Sequence, residues 1–246
     1  PARRGIYERT TRGIRIYLAT PRLRGLLAIT MAVSAIGAII FVNTVVYVQG
    51  LYDLSERHTA LALACFGGGS MLAAFIIPTA LNYIKDRTMM LSAISLLAAL
   101  DIAISFHQSY FSLLAIWFTT GIGYASALVP SGRLIKRSTH SEDRTAIFAA
   151  QFALSHSCWL ITYPLAGWIG STLGLSQTAI ILSIIAIASV ITAFFVWPKN
   201  ETNEIQHEHA DLPSNHPHLA QGHEKHGRTH SHNIVIDDLH PHWPRE

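Results

Sequence analysis

The sequence has little charge and almost no cysteine. Acidic and basic residues together make up 13% of its 246 residues, whereas half of the residues are hydrophobic. This balance excludes an ordinary soluble domain and gives no reason to expect a nucleic-acid partner. The two cysteines, Cys65 and Cys158, fall inside apolar runs, so a disulfide framework is not indicated.

The usual signatures of an enzyme are also missing from the sequence. It contains no nucleophile paired with a base, no phosphate-binding loop and no closed zinc site. The run from His223 to His226 is one residue short of the zinc-protease pattern. We therefore predict that the protein is not an enzyme and has no tightly bound cofactor.

Six long apolar runs dominate the chain, and each is long enough to cross a lipid bilayer, which takes roughly 20 residues. The predicted spans cover residues 25–47, 59–84, 88–106, 110–131, 145–170 and 178–197. Short loops join them, which predicts antiparallel neighbours in an all-α membrane protein. Residues 1–24 are then a basic amphipathic linker from a part of the protein upstream. Residues 25–198 form the transmembrane domain, and residues 199–246 a histidine-rich tail that is largely disordered.

The distribution of lysine and arginine predicts the orientation of these spans. Seventeen of the eighteen basic residues fall on one side of the predicted membrane, and Arg57 stands alone on the other. Because basic loops stay on the cytoplasmic side, we expect both ends of the chain to be cytoplasmic. We predict a multi-pass protein of the bacterial inner membrane.

Proline and small residues indicate how the spans pack. Pro78 and Pro164 lie near the ends of the second and fifth spans, as expected for two inverted groups of three helices. Glycines at positions 67–69 and at Gly121 and Gly123 are typical of helices that approach one another closely.

The fifth span carries polar side chains at a depth where they are costly in lipid. Gln151, Ser155, His156 and Cys158 occupy neighbouring helical positions and are candidates for lining a transport path. The alternative for His156 is a helix-packing hydrogen bond. The alternative for Cys158 is packing as a small apolar residue.

Asp101 is the only acidic residue deep inside a predicted span, and Asn43 is a polar residue of the first span. An intramembrane carboxyl is a candidate for proton exchange. The alternative is that Asp101 reaches the membrane interface, since it lies about one and a half turns from the predicted outer end of its helix.

The tail contains ten of the fourteen histidines of the chain. Imidazole is a ligand for nickel, cobalt, zinc and copper, and His-x-His pairs bring two ligands together without a fold. The alternative is a low-complexity tail that binds metal incidentally. An apolar run from Ile234 to Leu239, followed by Trp243, is typical of a segment that docks onto another surface. The candidate metal ligands are His207, His209, His216, His218, His223, His226, His230, His232, His240 and His242.

The six spans, the basic linker and the two prolines together resemble the C-terminal half of a major facilitator superfamily transporter. Residues 82–87, Asn-Tyr-Ile-Lys-Asp-Arg, are similar to the second copy of that family's Asp-Arg loop, which implies a gating role for Asp86 and Arg87. They lack the leading Gly and the trailing Gly-Arg-Arg of the full motif. Residues 149–168 and the histidine-rich tail resemble nickel-resistance permeases of the NreB type.

This resemblance implies a proton-driven exporter of divalent metal, with nickel favoured and cobalt, zinc or copper as alternatives. The substrate path would lie between these six helices and an N-terminal six-helix half. Two other functions stay open. One is a transporter of the same fold that exports a drug or organic metabolite while the tail buffers metal. The other is a membrane adaptor that senses metal without transporting it.

Overall fold

The chain folds into a bundle of long α-helices, with a small sheet in its tail. The computed structural model describes residues 6–106, 109–199, 204–208, 223–226, 229–233, 235–236 and 243, with side chains for 11–106, 109–199, 235, 236 and 243. These residues form α1 (Ile6–Ala19), α2 (Pro21–Ala38), α3 (Glu56–Ala80), α4 (Asp86–Ile104), α5 (Tyr110–Leu128), α6 (Ser131–Arg137), α7 (Arg144–Thr172) and α8 (Leu175–Val196), followed by β1 (Glu204–Glu208), β2 (His223–His226) and β3 (Thr229–Asn233).

Five helices among the described residues are long and apolar enough to cross a membrane, beginning at Pro21, Glu56, Asp86, Tyr110 and Leu175. The predicted fifth span corresponds to α7, whose 29 residues extend over about 43 Å. This length is sufficient for a span, but the polar side chains of α7 lower its hydropathy. The prediction of an all-α, multi-pass membrane fold is confirmed.

The first span is the central helix of the bundle. Beyond Ala38, α2 continues as two π-helical segments, Ile39–Asn43 and Val46–Leu51. Of the most apolar 18-residue segment within Pro21–Asn43, 78% is buried inside the bundle. The corresponding buried share in α3 is 28%. Because π-helical turns are rare and often occur at functional sites, this part of the first span is a candidate for a functional role.

Helices α3 and α5 approach each other so closely that their backbones touch. A Cβ atom on Gly69 would lie 1.9 Å from the carbonyl oxygen of Phe118, and one on Gly121 would lie 2.0 Å from that of Phe66. Ser70 Oγ donates a hydrogen bond of 3.0 Å to the carbonyl oxygen of Gly121. The prediction that small residues here allow close packing is confirmed for Gly69 and Gly121.

The basic loops meet at one end of the bundle, which we call the basic end. Arg22 at the start of α2 donates to the carbonyl oxygen of Arg137 at 3.1 Å, and Arg87 of α4 donates to that of Trp197 at 3.0 Å. These bonds connect α2 with α6 and α4 with the end of α8. The loops that the charge pattern assigns to one side of the membrane are thus held together.

Helix α1 packs against the beginning of α7. The guanidinium of Arg12 is bidentate on Asp143, with Nε–Oδ1 at 2.7 Å and Nη2–Oδ2 at 3.0 Å. Tyr17 is fully buried, and its hydroxyl donates to Oε1 of Gln151. Ile16 and Tyr17 of the predicted basic linker enter the main core of the bundle, because α1 buries one apolar stripe against α7.

The tail differs from its predicted disorder where it is described. Its three strands form one antiparallel sheet in the order β1-β3-β2. The strands pair through backbone hydrogen bonds. Val235 and Ile236, which follow β3 after one residue, are buried, and Ile236 belongs to the main core together with residues of the helices. His209, His216, His218, His240 and His242 lie outside the described residues.

Candidate transport site

His156 lies on the exposed face of α7. Its Nδ1 is 2.8 Å from the carbonyl oxygen of Phe152 and 3.4 Å from Ser155 Oγ. The imidazole packs on the Phe152 ring, with 3.9 Å between the ring centroids. All of these contacts are made within α7 itself, so the ring is oriented by its own helix. Among the described residues it makes no hydrogen bond to a neighbouring span.

The structure does not gather the four polar candidates of α7 into one path. Cys158 is buried, at 4% exposure. Gln151 accepts the hydrogen bond of Tyr17, and its Nε2 lies 3.5 Å from Thr30 Oγ1, so it holds α1 and α2 against α7. Ser155 Oγ donates to the carbonyl oxygen of Phe152 on its own helix. Of the four, His156 presents an exposed side chain that is not engaged by another helix.

An open depression of about 460 Å³ runs along α7 beside His156. Trp159 and Tyr163 line it one and two turns further on, and Pro164 is at its end. Proline leaves the carbonyl one turn before it without its helical partner. The depression therefore combines one imidazole with an aromatic wall.

That wall belongs to an aromatic cluster built by four different helices. Phe41 is at its centre and half exposed, with ring centroids 5.5 Å from Phe66, 6.4 Å from Tyr124, 6.2 Å from Trp159 and 6.5 Å from Tyr163. Phe41 is in the first π-helical segment, Phe66 in α3, Tyr124 in α5 and the other two in α7. We call these five rings the aromatic cluster. The cluster was not predicted from the sequence, because each ring alone is an ordinary residue of an apolar span.

Asp101 is completely buried between α4 and α8. Ser183 Oγ donates to its Oδ2 at 3.1 Å. Its Oδ1, the Asn43 Oδ1 and the Tyr47 hydroxyl are buried without a hydrogen-bond partner among the described atoms. Asp101 therefore does not reach the surface of the bundle. Buried polar atoms of this kind call for a water, a proton or an ion.

The Asp86–Arg87 loop is tied to two other elements at the basic end. The Asp86 carboxylate accepts from Arg133 Nε at 3.0 Å, and Arg137 Nη2 is 3.8 Å from its other oxygen. Arg87 donates from Nη2 to the carbonyl oxygen of Phe194 at 2.9 Å. The resemblance to a family loop identified Asp86 and Arg87 but did not identify their partners on α6 and α8.

Histidines in the tail are described through their backbone positions. In the register of β1 and β3, His207 lies directly opposite His230, and Ile205 lies opposite His232. In β2, His223 lies opposite Ser231 of β3. Among the side chains that the structure describes, no group of three or more His, Cys, Asp or Glu residues could hold a metal ion.

Comparison with known protein families adds one result. Residues 26–229 match the family model of the Major Facilitator Superfamily. The match begins within α2, includes α3 to α8 and reaches the first residue of β3. No curated protein matches the chain.

Proposed function

We propose that this chain, which belongs to the Major Facilitator Superfamily and is therefore part of a secondary transporter, exports divalent metal ions, with nickel favoured, in exchange for protons. The proposed path lies between these six helices and an N-terminal half of the same architecture. The proposed location is the bacterial inner membrane, with the basic end facing the cytoplasm.

The observation that supports metal as the cargo is the position of the histidine-rich tail. Ile236 is part of the same apolar cluster as Ile16, Tyr17 and Leu23 at the basic end. The strands that contain His207 and His230 are therefore attached to the membrane domain at the basic end, the side from which the proposed exporter would take up its cargo. Tethered ligands raise the local concentration of an ion without a preformed deep site.

His156 is the proposed ligand on the membrane-embedded part of the path. It is exposed, and its known contacts involve Nδ1, which leaves Nε2 as the nitrogen proposed to meet the ion. Imidazole suits nickel, cobalt, copper and zinc. The remaining ligands would come from the other half of the transporter and from water.

Asp101 is the proposed proton carrier. A buried carboxyl inside a membrane is costly, and such residues are commonly part of proton relays. Its unpaired Oδ1 provides the position for a proton, while Ser183 holds Oδ2. Asn43 and Tyr47 add further unpaired polar atoms in the same membrane domain.

The Asp86–Arg87 loop is the proposed gate at the cytoplasmic end. Asp86 bonds to α6 and Arg87 bonds to the end of α8, so the loop fastens two elements that follow different spans. Rocking of the halves would break and remake these contacts.

A second function is supported by the aromatic cluster. Four rings around the half-exposed Phe41 form a surface suited to flat or cationic organic molecules, which bind aromatic faces through stacking and cation–π attraction. Under this alternative the protein exports an organic compound, and the tail only buffers metal.

One transport experiment separates the two functions. Inside-out membrane vesicles that contain the full-length transporter are prepared with an acidic interior. Uptake of nickel and of ethidium into these vesicles is then followed with and without a protonophore. Nickel uptake that the protonophore abolishes supports metal export. Ethidium uptake without nickel uptake assigns the organic cargo instead.

The contribution of the tail is tested with a variant in which the tail histidines become asparagine while residues 234–246 keep their other side chains. Deleting the whole tail is a poorer test, because it would also remove buried Val235 and Ile236. Weaker nickel uptake at low nickel, with the same maximal rate, is the expected result.

A further inference from the structure

A cavity of about 580 Å³ opens at the basic end of the bundle, between the loop before α4, helix α6 and the residues that follow α8. Five of its eleven lining residues are lysine or arginine, and one is acidic. The basic residues are Lys85, Arg87, Arg133, Arg137 and Lys199, and the acidic residue is Asp86. The cavity therefore has a strongly positive lining, which favours an anionic ligand.

The single carboxylate of the lining is already engaged by the arginines of α6. The buried Asp86 side chain accepts a hydrogen bond from Arg133 Nε at 3.0 Å, and Arg137 Nη2 lies 3.8 Å from its Oδ2. This leaves three cations of the lining without an ion pair among the residues that the structure describes, namely Lys85, Arg87 and Lys199.

Two of these three cations lie against the same aromatic ring at the end of α8. The Arg87 Cζ atom is 5.2 Å and the Lys199 Nζ atom 5.3 Å from the ring centroid of Phe194. Arg87 is also fixed in place, because it donates to the carbonyl oxygens of Phe194 and Trp197. Two positive charges held near one ring repel each other, and an anion bound to both would offset this repulsion.

Exposed apolar and aromatic side chains adjoin the cavity. Tyr83 and Ile84, which line it, are both exposed, and tyrosine is enriched at the level of the lipid headgroups. Phe195 is also exposed, and its ring centroid is 5.5 Å from that of Phe194. Both phenylalanines lie in the last turn of α8, one of the helices apolar enough to cross a membrane. A ligand with an anionic group and an apolar chain would therefore use both parts of this surface, whereas a soluble anion would use the charges alone.

We propose that the cavity binds the headgroup of an anionic phospholipid, such as phosphatidylglycerol, from the leaflet at the basic end of the bundle. Lys85, Arg87 and Lys199 would bind the phosphate, and the acyl chains would lie along α8 beside Phe195. Basic pockets between membrane helices bind anionic headgroups in this way. The headgroup would connect the start of α4 with the residues after α8, and this role does not depend on which cargo the protein exports.

Native mass spectrometry of the full-length protein in detergent tests this proposal. The protein is titrated with phosphatidylglycerol and, separately, with phosphatidylcholine of the same acyl chains, and the lipid-bound fraction is measured. We expect phosphatidylglycerol to bind at least about tenfold more tightly, because several basic side chains attract its net negative charge. The variant Lys85→Gln/Lys199→Gln should lose about tenfold in affinity for phosphatidylglycerol. Both lysines are exposed, and their amines form no hydrogen bond with other described residues, so the variant should keep the fold.

The matched control is Lys136→Gln/Arg144→Gln, which removes the same charge from the basic end at two exposed residues that do not line the cavity. This variant should keep its affinity for phosphatidylglycerol. Equal binding of the two lipids to the wild-type protein overturns the proposal. An equal loss of affinity in both double variants also overturns it, because it shows diffuse attraction to the basic end in place of a site.

Inorganic phosphate is the third probe, and it separates a lipid from a soluble anion. We expect it to leave phosphatidylglycerol bound. If phosphate displaces the lipid at a similar concentration, the ligand of the cavity is a soluble anion and the proposed lipid site is overturned. None of these outcomes bears on the proposed cargo, because transport is not measured.

Discussion

Asp86 and Arg133 form an ion pair that joins the beginning of α4 to α6. The Asp86 side chain is 2% exposed, and Arg133 contacts its Oδ1 through both Nε and Nη2. Arg133 Nη1 also donates to the carbonyl oxygen of Leu81 at 3.2 Å. One guanidinium therefore donates hydrogen bonds both to a buried carboxylate and to a backbone carbonyl at the end of α3.

Replacing Arg133 with alanine should destabilise the membrane domain. The change leaves the buried Asp86 carboxylate with Arg137 at 3.8 Å as its nearest cation. We expect a loss of about 1–3 kcal/mol, the usual cost of an unsatisfied buried group, at the low end because Arg133 is half exposed. Thermal unfolding in detergent measures it. Lys136→Ala, on the exposed side of the same helix, should leave the melting temperature unchanged; an equal loss there would contradict the role of the pair.

Gly69→Ala should separate α3 from α5. The new methyl group would overlap the carbonyl oxygen of Phe118, and a backbone atom cannot move aside as a side chain does. Overpacking of this kind costs about 1–3 kcal/mol or more. Gly67→Ala is the matched control, since a Cβ there meets nothing within 4 Å among the described residues. It should be neutral or slightly stabilising through helix propensity.

The contact between α1 and α7 should weaken at high pH. Burial, with a smaller contribution from Cys158, raises the pKa of Tyr17 above its ordinary value of 10.0. The neutral hydroxyl is thus favoured in the folded protein, so its stabilisation is complete below about pH 10 and is lost as the pH rises further. Tyr17→Phe should lower the free energy of unfolding at pH 7 by about 1 kcal/mol. The loss of stability above pH 10 should also be smaller in this variant than in the wild-type protein. Tyr83→Phe, at an exposed position, should change neither quantity.

His156→Ala should impair nickel transport without affecting the fold. The ring is exposed, and among the described residues it bonds within its own helix, so its removal leaves none of their buried groups unpaired. We expect nickel uptake into vesicles to fall by at least about tenfold, the scale on which loss of a metal-site group acts. Ser157→Ala, the next exposed residue, serves as the control. Unchanged nickel uptake in the His156 variant would remove this residue from the path.

Asp101→Asn should uncouple transport from protons. Asparagine keeps an oxygen that accepts from Ser183 but does not titrate. Uptake driven by a pH gradient should fall to the level of passive equilibration, whereas exchange of nickel across the membrane at equal pH should continue. Ser183→Ala keeps the carboxyl and should remain coupled. Full gradient-driven uptake in the asparagine variant would show that the proton travels elsewhere.

The membrane spans could be predicted from the sequence because their signal is local. A run of apolar residues interrupted by Pro198 or by the loop at Asp86 determines where a span ends. The packing of α1 was harder to predict, because its arginines indicate an exposed helix. Ile16 and Tyr17, which it buries, do not stand out among them. The tail sheet was not predicted, because the pairing of β1 with β3 joins segments that are distant in the sequence.

The candidate site was predicted in part, because sequence positions do not reveal which helices face one another. His156 stands out as a single histidine in an apolar helix. The aromatic cluster required Phe41, Phe66 and Tyr124 to meet across three separate spans, which no local pattern encodes. The partner of Asp86 was equally hidden, since Arg133 is 47 residues away in the sequence.

Helix α3 is fastened at three heights to α5 and to α6, the helix that follows α5. Arg133 of α6 donates to the carbonyl oxygen of Leu81 at the end of α3, the backbones of α3 and α5 meet at Gly69, and the Tyr110 hydroxyl of α5 donates to the carbonyl oxygen of His58 at 2.8 Å at the far end. Sliding or splaying of α3 against α5 would break these contacts. We therefore expect the two helices to tilt together as one unit when the transporter changes conformation.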